Sequence, residues 1–172
     1  MSLEEIAKKM CAKSKGILAA DESTGTMDKR LKSVGVDSTE KNRLHFRETL
    51  FTSDAMKNYI GGVILYDETI RQDASLGISI PALIEKNNSI VGIKVDKGAK
   101  QLAGSPDETI TEGLDGLRER LSEYYSLGAR FTKWRAVYNI KERYPSAQSI
   151  KSNAHALARY AAMVQEANMV PI

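Results

Sequence analysis

Short apolar, β-branched runs recur along this chain at helix-length intervals, and that recurrence limits the folds open to it. Gly16–Asp21, Gly61–Tyr66, Ile90–Asp96, Ala129–Arg135 and Met169–Ile172 are such runs, and their starts lie 45, 29, 39 and 40 residues apart. Patterns of helical period fill the intervals. Leu114, Leu117, Leu121 and Tyr124 or Tyr125 form one stripe, which ends at Leu127-Gly128 with glycine where a helix C-terminus favours it. Ala154, Leu157, Ala158, Ala161 and Val164 form a second. A third helix is expected from about Thr39 to Phe51, with Asp37 and Glu40 as its capping pair. Ser105-Pro-Asp-Glu108 also reads as a helix start, with Ser at the N-cap, Pro next and Glu three residues on. Strand and helix alternating at this spacing predict βαβ units around a parallel sheet.

A doubly wound sheet and a (β/α)₈ barrel both answer to that description. The glycine-rich nucleotide loops of doubly wound folds are missing. The strands also carry ionisable residues at their carboxyl ends: Asp21, Lys94 with Asp96, and Lys133 with Arg135. Side chains alternate across a strand, so each of the two later pairs shares a face. Charge within a sheet is costly unless it meets a polar cavity, which the mouth of a barrel supplies. The expected fold is therefore α/β, of the TIM (β/α)₈ barrel family. A full barrel takes about 250 residues. Residues 1–172 are expected to form a single domain, a truncated half barrel of about four βα units plus the start of strand 5.

Composition removes several function classes. The net charge is only +3 and the charges are interspersed, so no nucleic-acid-binding arm is expected. No stretch of about 18 apolar residues predicts a membrane span, and the amphipathic start does not resemble a secretory leader. Cys11 is the only cysteine, which fits a reducing, cytoplasmic setting; it is expected to pack within a short amphipathic helix. His45 and His155 are the only histidines, too few for a histidine-rich metal centre. Neither has a matched serine and aspartate for a catalytic triad.

Asp21, Lys94, Lys133 and Arg135 together suggest a site for an anionic ligand, flanked by Arg30 and Arg43 from the following helices. Two ammonium groups about 6 Å apart repel by about 3 kcal/mol at an effective dielectric near 20. That repulsion favours a lysine able to lose its proton, and a neighbouring carboxylate can move protons. The competing reading is a structural ion-pair network. Ser23–Thr26 suits either a phosphate held by backbone N–H groups or an ordinary helix cap. Trp134 alternates away from Lys133 and Arg135 and is expected to pack against the outer helices.

Six segments make the sequence recognisable. Leu18-Ala-Ala-Asp-Glu-Ser-Thr-Gly25, Gly61-Gly-Val-Ile-Leu65, Val91-Gly-Ile-Lys-Val-Asp-Lys-Gly98, Gly113-Leu-Asp-Gly-Leu117, Lys133-Trp-Arg135 and Leu157-Ala-Arg-Tyr-Ala161 closely resemble class I fructose-bisphosphate aldolase. The resemblance implies the (β/α)₈ barrel and reversible cleavage of fructose 1,6-bisphosphate to dihydroxyacetone phosphate and glyceraldehyde 3-phosphate. The family uses a lysine Schiff base, without metal or other cofactor. By resemblance, Asp21 binds and helps deprotonate the C4 hydroxyl. Lys133 assists carbinolamine formation and dehydration, and Lys94 pairs with Asp21. Arg135 belongs to the substrate pocket, Arg30 contacts phosphate, Arg43 is linked with substrate binding, and Thr26 stands where many relatives have serine. The resemblance further implies a cytoplasmic homo-tetramer at full length. The family continues beyond Val-Pro-Ile172 with two catalytic glutamates, the Schiff-base lysine, a second phosphate site and a tail ending in tyrosine. The chain is therefore expected to be an amino-terminal half with little activity alone. Competing readings are another phosphosugar barrel and a truncated, non-catalytic paralogue acting as a binding or regulatory protein.

Overall fold

All five apolar runs become strands of one parallel sheet. The computed structural model of the protein describes residues 1–75 and 77–172. In chain order its elements are α1 (Leu3–Met10), β1 (Gly16–Ala20), α2 (Thr24–Ser33), α3 (Glu40–Phe51), α4 (Asp54–Tyr59), β2 (Ile60–Leu65), α5 (Asp67–Ile70), α6 (Ile80–Lys86), β3 (Ile90–Lys94), β4 (Ala99–Leu102), β5 (Ser105–Thr111), α7 (Leu117–Ser126), β6 (Phe131–Lys133), α8 (Ala147–Glu166) and β7 (Val170–Pro171). The sheet order is β1-β2-β3-β6-β7, and β4 and β5 form a separate antiparallel hairpin between β3 and α7. Among the described residues, no helix is long and apolar enough to cross a membrane.

The register explains the two faces of the sheet. Ala19, Ile64, Gly92, Phe131 and Val170 lie side by side in one row. Ile64, Phe131 and Val170 from that row pack with Ile90 against Ile6 and Met10 of α1. Gly92 carries no side chain because the Phe131 ring occupies that place, and a Cβ on Gly62 would come within 3.1 Å of the same ring. The opposite face, with Val63, Leu65, Val91 and Ile93, forms the main core with the helices. Two residues beyond Gly92 and Phe131, Lys94 and Lys133 are register partners on the inner face. That face is thus apolar where α1 covers it and charged at the strands' carboxyl ends.

Four local expectations need correction. Ser105–Glu108 opens β5, not a helix. The Ser/Glu spacing is used, since the Ser105 hydroxyl donates to Glu108 Oε2 at 2.7 Å, but within a hairpin. Glu108 then reaches across the fold and accepts the Ser146 N–H at the start of α8 at 2.7 Å. Helix α3 is capped by Thr39, whose hydroxyl accepts the Asn42 N–H at 3.1 Å, and Asp37 contributes only its carbonyl. Helix α8 buries Ser149, Asn153, Ala156, Tyr160 and Val164; of the expected stripe, Val164 is in the core and Leu157 and Ala161 pack against it, while Ala154 and Ala158 are exposed. Asn153 and Tyr160 can be inside because Asn153 donates to the Thr109 carbonyl and Tyr160 shares a 2.6 Å hydrogen bond with the Thr132 hydroxyl. Cys11 is exposed at the C-terminus of α1 and does not pack. The stripe ending at Gly128 becomes α7, with Gly128 at φ +106. Trp134 packs against α8, with its ring 5.2 Å from Tyr160.

Candidate functional site

A cavity of about 900 Å³ opens at the carboxyl ends of β1, β2, β3 and β6, the end of a parallel α/β sheet where ligands bind. Asp21, Thr26, Arg30, Lys94, Lys133 and Arg135 all line it. Its wall holds seven cationic and five acidic side chains, an excess of positive charge suited to an anionic ligand.

The lysines are not two bare ammonium groups. Lys133 Nζ donates to Asp21 Oδ2 at 2.7 Å, bridging β6 to the end of β1. Lys94 Nζ lies 3.0 Å from Asp96 Oδ1 and donates to the Asp96 carbonyl at 3.2 Å. The Gly98 N–H fixes the same Asp96 oxygen at 3.0 Å. The expected pairing of Lys94 with Asp21 is therefore corrected: each lysine has its own carboxylate. Asp96 wins Lys94 because it lies two residues on and shares its face.

Arg30 reaches the cavity from α2, where it pairs with Glu22 and stays half exposed. Thr26 shares a 3.2 Å hydrogen bond with the Ser23 hydroxyl, so Ser23 does not cap the helix backbone with its side chain. Arg135 is anchored through its carbonyl, which accepts the Thr111 hydroxyl at 2.7 Å. Among the described residues neither Arg135 nor Lys97, also in the wall, forms an ion pair with a carboxylate. Both remain available to an anion.

Arg43 is placed elsewhere. Its Nε donates to Glu68 Oε2 at 2.9 Å and its Nη1 to the Ser38 carbonyl at 2.6 Å, and it is absent from the cavity wall. The hydrogen bond from Arg43 holds the Glu68 carboxyl below the usual carboxylate range, against the opposing effect of burial.

Sequence reading missed a second charged group on the opposite rim. Asp67 Oδ1 accepts Arg71 Nη2 at 2.8 Å and the Tyr124 hydroxyl at 2.9 Å, while Arg71 also pairs with Glu123. Burial, with Asp67 beside it, pushes the Tyr124 phenol up to about 12, so it is a hydrogen-bond donor throughout the physiological range. Buried Arg47 was missed as well; it lies under the Tyr66 ring at 5.9 Å. The only available signal was an arginine four residues after Arg43, on the same helix face.

Chemically, a carboxylate and an ammonium in direct contact at a cavity floor can exchange a proton with a bound hydroxyl. Unpaired cations beside them can hold a phosphate. A family model described as fructose-bisphosphate aldolase class-I matches residues 2–172. The probable fructose-bisphosphate aldolase class 1 of Xylella fastidiosa (strain Temecula1) is 55% identical over 170 residues, covering 99% of this chain and 51% of the relative. Fructose-bisphosphate aldolase C of Homo sapiens is 50% identical over 171 residues, covering 99% of this chain and 47% of the relative. The solved ternary co-crystal structure of fructose-bisphosphate aldolase from Plasmodium falciparum, in complex with TRAP and a small molecule inhibitor, superposes with a TM-score of 0.95. It is 43% identical to this chain, and the match covers 98% of this chain and 49% of that one. The chain spans about half the length of the curated relatives it matches. It belongs to the class-I fructose-bisphosphate aldolase family.

Proposed function

We propose that residues 1–172 form the amino-terminal half of a Schiff-base aldolase barrel acting on fructose 1,6-bisphosphate. The contact of Lys133 with Asp21 at 2.7 Å, at the floor of a cationic cavity, carries this reading. In it, Asp21 takes the C4 hydroxyl proton as the C3–C4 bond breaks, releasing glyceraldehyde 3-phosphate and leaving the dihydroxyacetone phosphate enamine. Lys133 orients the Asp21 carboxylate through its hydrogen bond and delivers a proton to the departing hydroxyl during imine formation. Arg30, Thr26, Lys94 and Arg135 receive the phosphorylated substrate. Arg43 acts from behind the site through Glu68. The lysine that forms the imine, with the glutamates beside it, lies in the other half of the barrel. No metal or other cofactor takes part. By the family resemblance the full-length protein is a homo-tetramer, and the single free cysteine supports a cytoplasmic setting.

The reading is tested by intact mass measurement after incubation with dihydroxyacetone phosphate and borohydride. The 19.0 kDa chain should remain unmodified. It should bind fructose 1,6-bisphosphate saturably, and turnover should appear only when the complementary half of a relative is supplied. An adduct on a lysine of this chain, or turnover by the chain alone, refutes the division of labour between halves. Saturable binding with no turnover in any combination favours the non-catalytic binding role.

A further inference from the structure

Behind the cavity wall, a carboxylate and a guanidinium each keep unused hydrogen-bonding capacity. Glu22 follows Asp21 and lines the cavity. Its Oε1 is bonded to Arg30, while its Oε2 is buried without a partner. Arg47 on α3 is fully buried, and its Nη2 donates to the Glu22 carbonyl at 2.6 Å. Its Nε and Nη1 have no hydrogen-bond partner among the described residues. Nη1 is 3.6 Å from Glu68, but both oxygens of Glu68 already accept from Arg43. A buried guanidinium with two idle donors is destabilising in itself. Burial lowers the basicity of Arg47, and Glu22 is the carboxylate that opposes this most strongly.

We infer that Glu22 is a two-position carboxylate, which neutralises Arg30 in the arrangement seen here and moves to Arg47 when a phosphate-bearing ligand engages Arg30. The exchange rests on the reading of Arg30 as a phosphate contact. It keeps every charge paired: the phosphate takes the half-exposed guanidinium of Arg30, and the displaced Glu22 meets the idle donors of Arg47. Without Arg47, a phosphate dianion and the Glu22 carboxylate would compete for one arginine. Arg47 is thus a positioning residue that touches no ligand.

The test combines calorimetric titration with fructose 1,6-bisphosphate and the ¹⁵N resonance of the Arg47 Nε–H. Saturating ligand should shift that resonance in the wild type and leave it in place in Glu22→Gln. Glu22→Gln should bind about two- to fivefold more tightly, the worth of a half-exposed ion pair. Arg47→Lys should weaken binding in the wild type and leave Glu22→Gln nearly unaffected. A purely structural Arg47 would weaken both backgrounds equally, and that result overturns the inference. So does an Arg47 signal that ignores saturating ligand, a readout needing no Arg47 variant. If Arg30→Ala weakens binding while saturating ligand leaves the Arg47 signal of the wild type in place, the exchange alone has failed. If Arg30→Ala leaves affinity unchanged, the phosphate reading of Arg30 fails and the exchange with it. Absence of saturable binding overturns both.

Discussion

Replacing Gly92 by alanine should disturb the inner face of the sheet through Phe131 alone. A Cβ at Gly92 falls inside contact distance of three atoms of the Phe131 ring. The ring has little room to yield. It is fully buried, Gly62 of β2 lies against it, and Met10 of α1 closes the space beyond. Gly92 is also held on both sides, by Ile64 and by Phe131 itself, so its backbone cannot retreat. Overpacking by one methyl group costs about 1–3 kcal/mol, and a core this confined belongs at the upper end. Alanine also reduces the freedom of the unfolded chain, which offsets about 0.4–1 kcal/mol. The net expectation is a loss of about 2 kcal/mol, or about 4–8 °C in Tm for a chain of this length. Urea unfolding followed by circular dichroism measures it, provided the slope of the transition is unchanged. Gly25→Ala in α2 is the control: nothing lies within 4 Å of its added Cβ, and it should stabilise by about 0.5 kcal/mol. Phe131→Leu removes the obstructing ring, so Gly92→Ala should cost less in that background, with a coupling of about 1 kcal/mol. Simple additivity of the two costs, or a Gly92→Ala protein as stable as wild type, refutes the idea that Phe131 fills the place of a side chain on β3.

Three further outcomes are expected. Asp21→Asn or Lys133→Met alone should each destabilise by about 1–3 kcal/mol because each strands a part-buried charge, while the double variant should lose clearly less than the sum; a urea double-mutant cycle with zero coupling would argue against the contact. The carboxyl of Glu68 is held low by Arg43, so its stabilising share is present above the unfolded value near 4.5 and is lost as pH falls through the lower folded one. Glu68→Gln should accordingly flatten the acid limb of a stability–pH curve, and an unchanged limb contradicts this. Burial pushes the Tyr160 phenol up to about 12, so its proton is retained more strongly when folded. Its contribution is complete below about pH 10 and fades towards pH 12, by about 2–3 kcal/mol, with Tyr124 adding a loss of the same sign. Tyr160→Phe should remove roughly half of that alkaline loss, as read from unfolding free energies at pH 9 and 12.

What could be read from the sequence, and what could not, divides by the range of the interaction. The five strands were legible because each is a short apolar run, which is a local property, and the central strands β2, β3 and β6 are largely buried on both faces and need that run unbroken. The meeting of Asp21, Lys94 and Lys133 was legible because alternation along a strand is also local. Their pairing was not, since Lys133 and Asp21 are 112 residues apart and the nearer Asp96 claims Lys94. The same limit explains the inner face of α8. Asn153 and Tyr160 look like surface residues until Thr109 and Thr132, 44 and 28 residues away, satisfy them. It explains α3 too, whose buried residues include Arg43, Arg47 and Glu48 and whose apolar pattern is correspondingly weak. Ser105 and Glu108 show the complementary failure. A serine three residues before a glutamate can form reciprocal side-chain to backbone bonds at a helix start or a hydroxyl-to-carboxylate bond in a hairpin, and pairing with β4 decides between them. One segment holds both kinds of information. In Gly92-Ile-Lys94, the glycine admits a ring from β6 against α1 and the lysine meets its register partner Lys133 at the cavity. The requirement for no side chain and the requirement for a charge, two residues apart on one face, follow from a single inner surface that changes from packed core to binding site along the strand.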